Sequence, residues 1–200
     1  MAPVVVDPAA VHEFKDQAAL ERWYKRNHAK ASQLWLKTHK KGSGLPSVTN
    51  AEALEVALCW GWIDAIRKPF DDKSFLQRYT PRKKTSIWST RNQDIVARLI
   101  KDGRMQPEGQ AEIDRAKADG RWDRAYGGSR TMEFPPDLLA AIEAEPEALD
   151  LFNRLNAQNR FALAFRTHNI KTAAGRQKKI EGFVEMLKRG DTIYPNGKRK

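Results

Sequence analysis

The stretch from Ala57 to Asn92 reads ALCWGWIDAIRKPFDDKSFLQRYTPRKKTSIWSTRN, and it decides the fold of the first half of the chain. It holds three of the six tryptophans and eight Lys or Arg against three acids. Residues 62–68 and 74–80 each carry recurring β-branched or aromatic side chains, and the turn-prone PFDDKS lies between them. The pattern predicts two strands of a small antiparallel sheet.

The residues before this stretch alternate between helical and extended patterns. Apolar spacing predicts an amphipathic helix over Phe14–Lys30, and alternation predicts a strand over Leu34–His39. Thr49 or Asn50 can cap a further helix that runs through Cys59. This half of the chain is therefore predicted to mix helices with a small sheet.

Helical spacing dominates after Pro81. It predicts helices from Thr90 or Asn92 through Lys101 and from Pro107 through Asp119. Three further helices are expected, one opened by PPD at 135–137, one around 146–155, and a longer one from 158 to 187. We therefore expect a helical second half.

Glycine and serine at Gly127, Gly128 and Ser129 predict a linker. We expect residues 1–130 to form an α+β N-terminal domain with the basic aromatic block, residues 131–195 a helical module, and residues 196–200 a basic tail. The predicted fold class is α+β, mainly helical, with a small antiparallel sheet in the N-terminal domain.

The net charge of +11 is unevenly distributed along the chain. Residues 65–91 carry eight bases against two acids, and residues 160–200 carry eleven against three. Residues 133–150 carry six acids and no base. Such segregation favours anion binding at two faces, and the alternative is that the lysines only confer solubility.

The apolar runs, the single cysteine and the histidine spacing limit which compartment and which cofactors the chain is expected to have. The longest apolar runs span five residues, far below the roughly 20 needed to cross a bilayer. The N-terminus lacks the pattern of a secretory signal, and the one cysteine cannot form an internal disulfide. The four histidines have no metal-ligand spacing. We expect a cytoplasmic protein with no membrane span, metal or cofactor.

The CWGWID segment and the following strand supply one candidate site. Guanidinium groups match phosphate or carboxylate oxygens and stack on aromatic rings, which favours a groove floored by Trp62 and Tyr79. Its rim would carry Asp64, Arg67, Arg78 and Arg82. The alternative is that both rings belong to the core. An extended strand also places Arg78 and Tyr79 on opposite faces, which disfavours a shared site.

The run TPRKKTSIWSTRN supplies the stronger candidate. Successive cations, hydroxyl groups, an aromatic ring and a nearby helix N-terminus suit an anion. Alternatively, Ser86 or Ser89 only caps the next helix while Trp88 packs on the core. The predicted binding residues are Trp62, Asp64, Arg67, Arg78, Arg82, Lys83, Ser86, Trp88 and Asn92.

Catalytic motifs are lacking: the sequence has no GxSxG elbow, no GxxxxGK[ST] loop and no GxGxxG. Cys59 with His39 as its base is the one candidate nucleophile pair. Because Cys59 lies in an apolar helical run, we expect its thiol to be unreactive. No catalytic residue is predicted.

Several segments together resemble one bacterial family. They are LWLKTHKKGSGLPS, EALEVALCWGWIDAIRK, SFLQRYTPRKKTSIWS, RLIKDGRM, AKADGRWDRAY and KKIEGFVEMLKRGDTIYP. Over about residues 14–195 they are similar to YdeI/OmpD-associated proteins, often labelled bacteriocin-protection proteins. The resemblance implies a helical C-terminal module, a role in survival under antimicrobial peptides or bacteriocins, and no established catalytic residues.

The chain departs from that family pattern at two places. Ala65 stands where a glycine commonly follows the WID triplet, and residues 172–175 replace a charged Lys-rich, Glu-Thr-Arg sequence. The first departure bears on a tight turn and the second on a charged surface of the module.

These observations predict a non-enzymatic stress or envelope-defence protein that acts by binding through a basic aromatic surface. Its partner is an anionic one, with nucleic acid or a small anion as candidates, or a protein. One alternative is a nucleic-acid-binding protein that stacks bases on aromatic rings. The other is an enzyme acting on a small anionic substrate near Arg82 and Trp88.

Overall fold

The structure is a computed structural model that describes residues 4–128 and 132–197. Within them the chain forms two compact units: residues 4–88 with 92–124, and residues 89–91 with 125–128 and 132–197. The predicted boundary at residues 130 and 131 and the predicted basic residues 198–200 lie outside the described residues. The predicted division of the chain therefore stays a prediction.

The first unit combines a sheet with helices. Its strands are β1 (Val11–Glu13), β2 (Leu34–His39), β3 (Trp62–Pro69) and β4 (Ser74–Pro81). Its helices are the short 3-10 helix Pro8–Ala10, α1 (Gln17–Asn27), α2 (Asn50–Cys59), α3 (Thr90–Lys101, from residue 92 onward) and α4 (Pro107–Ala118).

The sheet has the strand order β1-β2-β4-β3. β4 pairs antiparallel with both β2 and β3, which confirms the predicted hairpin, while β1 runs parallel to β2 and makes the sheet mixed. His39 lies opposite Ser74 and Pro69 opposite Phe75. The loop after β2 and the turn between β3 and β4 therefore lie at the same end of the sheet.

Helix α2 begins where its sequence predicts. The Thr49 side chain accepts from the Glu52 amide at 3.2 Å, and the Glu52 carboxylate accepts from the Thr49 amide at 2.8 Å. This reciprocal pair satisfies amides that the helix itself cannot satisfy. Just after the helix, Gly61 has φ +72°, a backbone conformation that favours glycine. The chain thereby reverses from α2 into β3.

Aromatic rings form the centre of the first core. Trp62 meets Trp23 edge-on at a ring-centroid distance of 6.0 Å and Tyr24 edge-on at 5.2 Å. Trp62 and Tyr24 are only 1% and 0% exposed. Burial of such large rings and their edge-to-face contacts stabilises the packing of α1 on the sheet.

The second unit is helical. Its helices are α5 (Pro136–Glu143), α6 (Pro146–Arg154), α7 (Ala157–His168) and α8 (Ala173–Lys188). Apolar side chains from all four helices form its core, among them Leu138, Phe152, Leu163, Phe183 and Leu187. Together the two units confirm the predicted α+β class with a mainly helical chain.

One helix prediction is wrong. The single long helix expected from residue 158 to residue 187 is two helices, α7 and α8, separated by residues 169–172. Asn169 ends α7, and the Thr172 side chain accepts from the Gly175 amide at 3.2 Å to begin α8. Side chains of this kind compete with the helical hydrogen bonds, so a helix breaks where they bind the backbone.

Candidate functional site

The turn at residues 83–86 follows β4 and carries two of the predicted cations. Its ends are closed by two hydrogen bonds: the Lys83 amide donates to Ser86 Oγ at 2.9 Å, and the Ser86 amide donates to the Lys83 carbonyl at 2.9 Å. Lys83 and Lys84 are exposed. The Ser86 side chain therefore closes this turn, whereas the Thr49 side chain caps helix α2.

Two buried arginines donate hydrogen bonds to the backbone at the end of the turn. Arg82 Nη1 donates to the Ile87 carbonyl at 3.2 Å, and Arg121 Nη1 donates to the Ser86 carbonyl at 2.6 Å. Each arginine is 6% exposed. Both oxygens of Asp119 lie 2.8 Å from Arg121 Nε, which pairs the Arg121 charge. The arginines thus fix the backbone that presents the lysines.

Aromatic rings complete this support. The Arg82 guanidinium carbon lies 3.6 Å from the centroid of the Trp88 ring, and Trp88 lies 4.9 Å from Trp122. Trp88 is 1% exposed. The predicted contact between Arg82 and Trp88 exists, but both groups are buried against each other rather than open to solvent.

The other predicted residues lie on the hairpin. Trp62 is in the core, and Asp64 and Arg67 flank an irregularity of the β3–β4 pairing on the exposed strand β3. Arg67 donates to the Gln77 side chain at 3.1 Å, while Arg78 donates to Gln33 at 2.9 Å. Gln77 and Arg78 are consecutive in a strand, so Arg67 and Arg78 lie on opposite faces of the sheet.

The predicted floor and the remaining residue are buried. Tyr79 is 1% exposed, as is Trp62, and Asn92 on α3 is 8% exposed. The structure therefore brings Arg82, Lys83, Ser86 and Trp88 together around one turn and separates them from Arg67 and Arg78. The binding role of these residues stays a prediction.

The candidate nucleophile Cys59 lies at the end of α2, outside the turn. Cys59 is 2% exposed, and burial raises the pKa of its thiol to about 11. His39, the candidate base, hydrogen-bonds through Nε2 to Glu13 at 2.6 Å on the sheet. A neutral buried thiol is a poor nucleophile.

Sequence reasoning missed a cavity in the second unit. It has a volume of about 290 Å³ and is lined by Gly127, Met132, Glu133, Phe134, Pro135, Pro136, His168 and Arg176. Arg176 donates to Asp137 at 2.5 and 2.8 Å, and this hydrogen bonding lowers the pKa of the Asp137 carboxyl. Arg176 and Asp137 are 39 residues apart, so no motif in the sequence indicates that they pair. The one partial signal is that Glu133 and Asp137 lie in the acidic stretch of residues 133–150.

Two features are absent from residues 4–128 and 132–197. No helix there is both long and apolar enough to cross a membrane. In the same part of the chain, no three His, Cys, Asp or Glu side chains are grouped as metal ligands.

Comparison with known families separates the two halves of the chain. Residues 12–112 match the model of a family described as a domain of unknown function, DUF8412. Residues 131–190 match the model described as bacteriocin-protection, YdeI or OmpD-associated. No curated protein and no solved structure matches the chain.

These matches refine the resemblance found in the sequence. The YdeI/OmpD-associated family is confirmed, but over residues 131–190 rather than over 14–195. The segments ALCWGWID and TPRKKTSIWS fall within residues 12–112 instead. The chain therefore belongs to the DUF8412 family through its first half, and it carries a YdeI/OmpD-associated, bacteriocin-protection domain in residues 131–190.

Proposed function

We propose that the protein protects against antimicrobial peptides or bacteriocins by binding an anionic partner, without catalysis, through the turn at residues 83–86. The family description of residues 131–190 supports the protective role at a coarse level. The turn supports the binding mode, because it holds cations on a fixed backbone.

The observation that carries this proposal is the unpaired charge of the turn. Lys83 and Lys84 are exposed, and neither forms an ion pair within residues 4–128 and 132–197. Hydrogen bonds from the two buried arginines and to the Ser86 side chain fix the backbone that carries these lysines. A preorganised turn loses less conformational entropy when it binds a ligand than a free loop does.

The net charge sets the sign of the partner. A chain at +11 repels polycationic peptides at long range and attracts polyanions. Protection by direct capture of cationic peptides would have to work against this field. An anionic partner is physically easier, and it agrees with the exposed lysines.

Complementation of a deletion strain tests the proposal. We expect wild-type protein to restore growth in the presence of a cationic antimicrobial peptide, and Lys83→Glu/Lys84→Glu to restore much less. The charge-matched control is Lys178→Glu/Lys179→Glu on α8, which changes the net charge equally at two exposed residues.

The outcomes separate local binding from net charge. Full rescue by Lys83→Glu/Lys84→Glu would refute binding through the turn. Equal loss in both double variants would show that only net charge matters. A deletion strain as peptide-resistant as its parent would refute the protective role.

A further inference from the structure

The hairpin end is the end of the sheet formed by residues 40–46 after β2 and residues 68–73, which comprise the end of β3 and the turn before β4. Its two segments are joined by hydrogen bonds. The Lys40 amide donates to the Lys73 carbonyl at 2.7 Å, and Lys40 Nζ donates to the Asp72 carbonyl at 3.0 Å. The two segments therefore form one surface rather than two independent loops.

Apolar side chains gather at the hairpin end. Phe70 in the turn and Leu45 in the loop are both 54% exposed, and Ile66 on β3 is 40% exposed. Val5 is 81% exposed. It lies near β3, because Lys68 Nζ donates to the carbonyl of its neighbour Val4. Phe70 and Leu45 belong to the hairpin end, and Ile66 and Val5 flank it next to Lys68; together they are four of the six large apolar side chains exposed among residues 4–128 and 132–197. Such a concentration marks an interaction surface.

Lysines surround these apolar groups. Residues 40–46 and 68–73 hold four lysines and two aspartates. The Asp71 carboxylate accepts from the Lys73 amide at 2.8 Å, which engages it in the turn itself. A fifth ammonium, Lys37 Nζ, lies 5.3 Å from the Phe70 ring centroid and forms an ion pair with Glu13 at 3.3 Å. The surface is therefore apolar at its tip and cationic around it.

We infer that the hairpin end docks on an anionic lipid surface. Apolar side chains that enter the boundary between headgroups and acyl chains, flanked by lysines that meet lipid phosphates, bind peripheral proteins to anionic membranes. A soluble polyanion would pair with the lysines but would gain nothing from exposed Phe70 and Leu45. The apolar tip is thus what favours a lipid surface.

This surface is separate from the turn proposed above. The eight residues of β4 span roughly 25 Å between the two ends of the strand. The inference rests on the exposed apolar tip, and it stands whether or not Lys83 and Lys84 bind a partner.

Vesicle co-sedimentation of the full chain tests it. We expect wild-type protein to bind phosphatidylcholine vesicles containing about one-third phosphatidylglycerol, and to bind pure phosphatidylcholine far less. Phe70→Ser/Leu45→Ser keeps every charge and should lower the partition coefficient about tenfold or more, since both side chains lose their transfer into the lipid. The matched control is Ile100→Ser on α3, where a 45% exposed apolar residue lies away from the hairpin end, and its binding should stay within about twofold.

Lys41→Glu/Lys73→Glu should reduce binding to the anionic vesicles toward that measured with neutral ones. Equal binding by Phe70→Ser/Leu45→Ser and Ile100→Ser, with unchanged tryptophan spectra, would overturn the inference. So would equal binding to both vesicle types. An oligonucleotide that displaces the vesicles and binds the wild type and Phe70→Ser/Leu45→Ser alike would assign the surface to nucleic acid and overturn it as well. We expect Lys83→Glu/Lys84→Glu to bind the vesicles as the wild type does, because these lysines lie outside the hairpin end. A failure of this inference is therefore distinguishable from a failure of the proposed function.

Discussion

Replacing Gly109 by alanine is a sharp test of how the first unit packs. A Cβ at residue 109 would lie 2.3 Å from the Cys59 carbonyl oxygen and 2.6 Å from that of Leu58, where real Cβ contacts are essentially never shorter than 3.0 Å. Both oxygens belong to the backbone of α2. The last turn of α2 or the first turn of α4 must therefore move by about 0.7 Å, the difference between 3.0 and 2.3 Å.

The size of the effect follows from two opposing contributions. Overpacking of this kind costs about 1–3 kcal/mol, and the displacement also lengthens the bond from the Gln106 amide to the Cys59 carbonyl, now 3.3 Å. Alanine regains roughly 0.5–1 kcal/mol relative to glycine within a helix. Because two backbone oxygens must move, we expect a net loss of about 2 kcal/mol in the free energy of unfolding.

Urea unfolding followed by tryptophan fluorescence measures this loss. All six tryptophans lie in the first unit, so the signal reports that unit alone. A loss of about 2 kcal/mol should lower the urea midpoint by about 1 M at an unchanged slope.

The control is Gly182→Ala in α8, where no atom lies within 4 Å of the added Cβ. It should stabilise the second unit by roughly 0.5–1 kcal/mol, measured by circular dichroism. A Gly109→Ala variant at least as stable as wild type would refute the close approach of α4 to α2.

Three further predictions concern a cap, a carboxyl and a thiol. Thr49→Ala removes the cap of α2 and should lower stability by about 1 kcal/mol in the same urea assay, with Thr85→Ala as an exposed control. Hydrogen bonding by His39 lowers the pKa of Glu13 in the folded protein. The stability that Glu13 contributes is therefore present above its unfolded pKa and is lost as the pH falls through its folded pKa. In Glu13→Gln the urea midpoint should change less between about pH 6 and pH 3 than it does in the wild type. The Cys59 thiol should react with a disulfide reagent at about pH 8 only after unfolding, because burial raises its pKa.

Local signals in the sequence predict much of the fold. The Thr49 and Glu52 pair, the alternation of 34–39 and the turn PFDDKS each act over a few residues, and α2, β2 and the hairpin lie where those signals place them. The break between α7 and α8 was missed because apolar spacing continues on both sides of it. The parallel pairing of β1 depends on contacts between distant residues, which no local pattern encodes.

The site could be predicted only in part, for a related reason. The contact of Arg82 with Trp88 joins residues six apart, and the sequence anticipates it. Whether such a pair faces solvent depends on Trp122 and Arg121, which come from another part of the chain. The hairpin end likewise combines residues near 45 and 70 through strand register, so its apolar tip is visible only in the folded chain.

The measurement that tests the central claim most directly is the binding of fluorescently labelled inorganic polyphosphate at several salt concentrations. We predict saturable binding by the wild type that weakens as salt rises, since exposed charges are screened. Lys83→Glu/Lys84→Glu should bind at least about tenfold more weakly, while Lys178→Glu/Lys179→Glu should remain closer to the wild type. Equal affinity of wild type and Lys83→Glu/Lys84→Glu at every salt concentration would contradict an anionic partner bound at this turn.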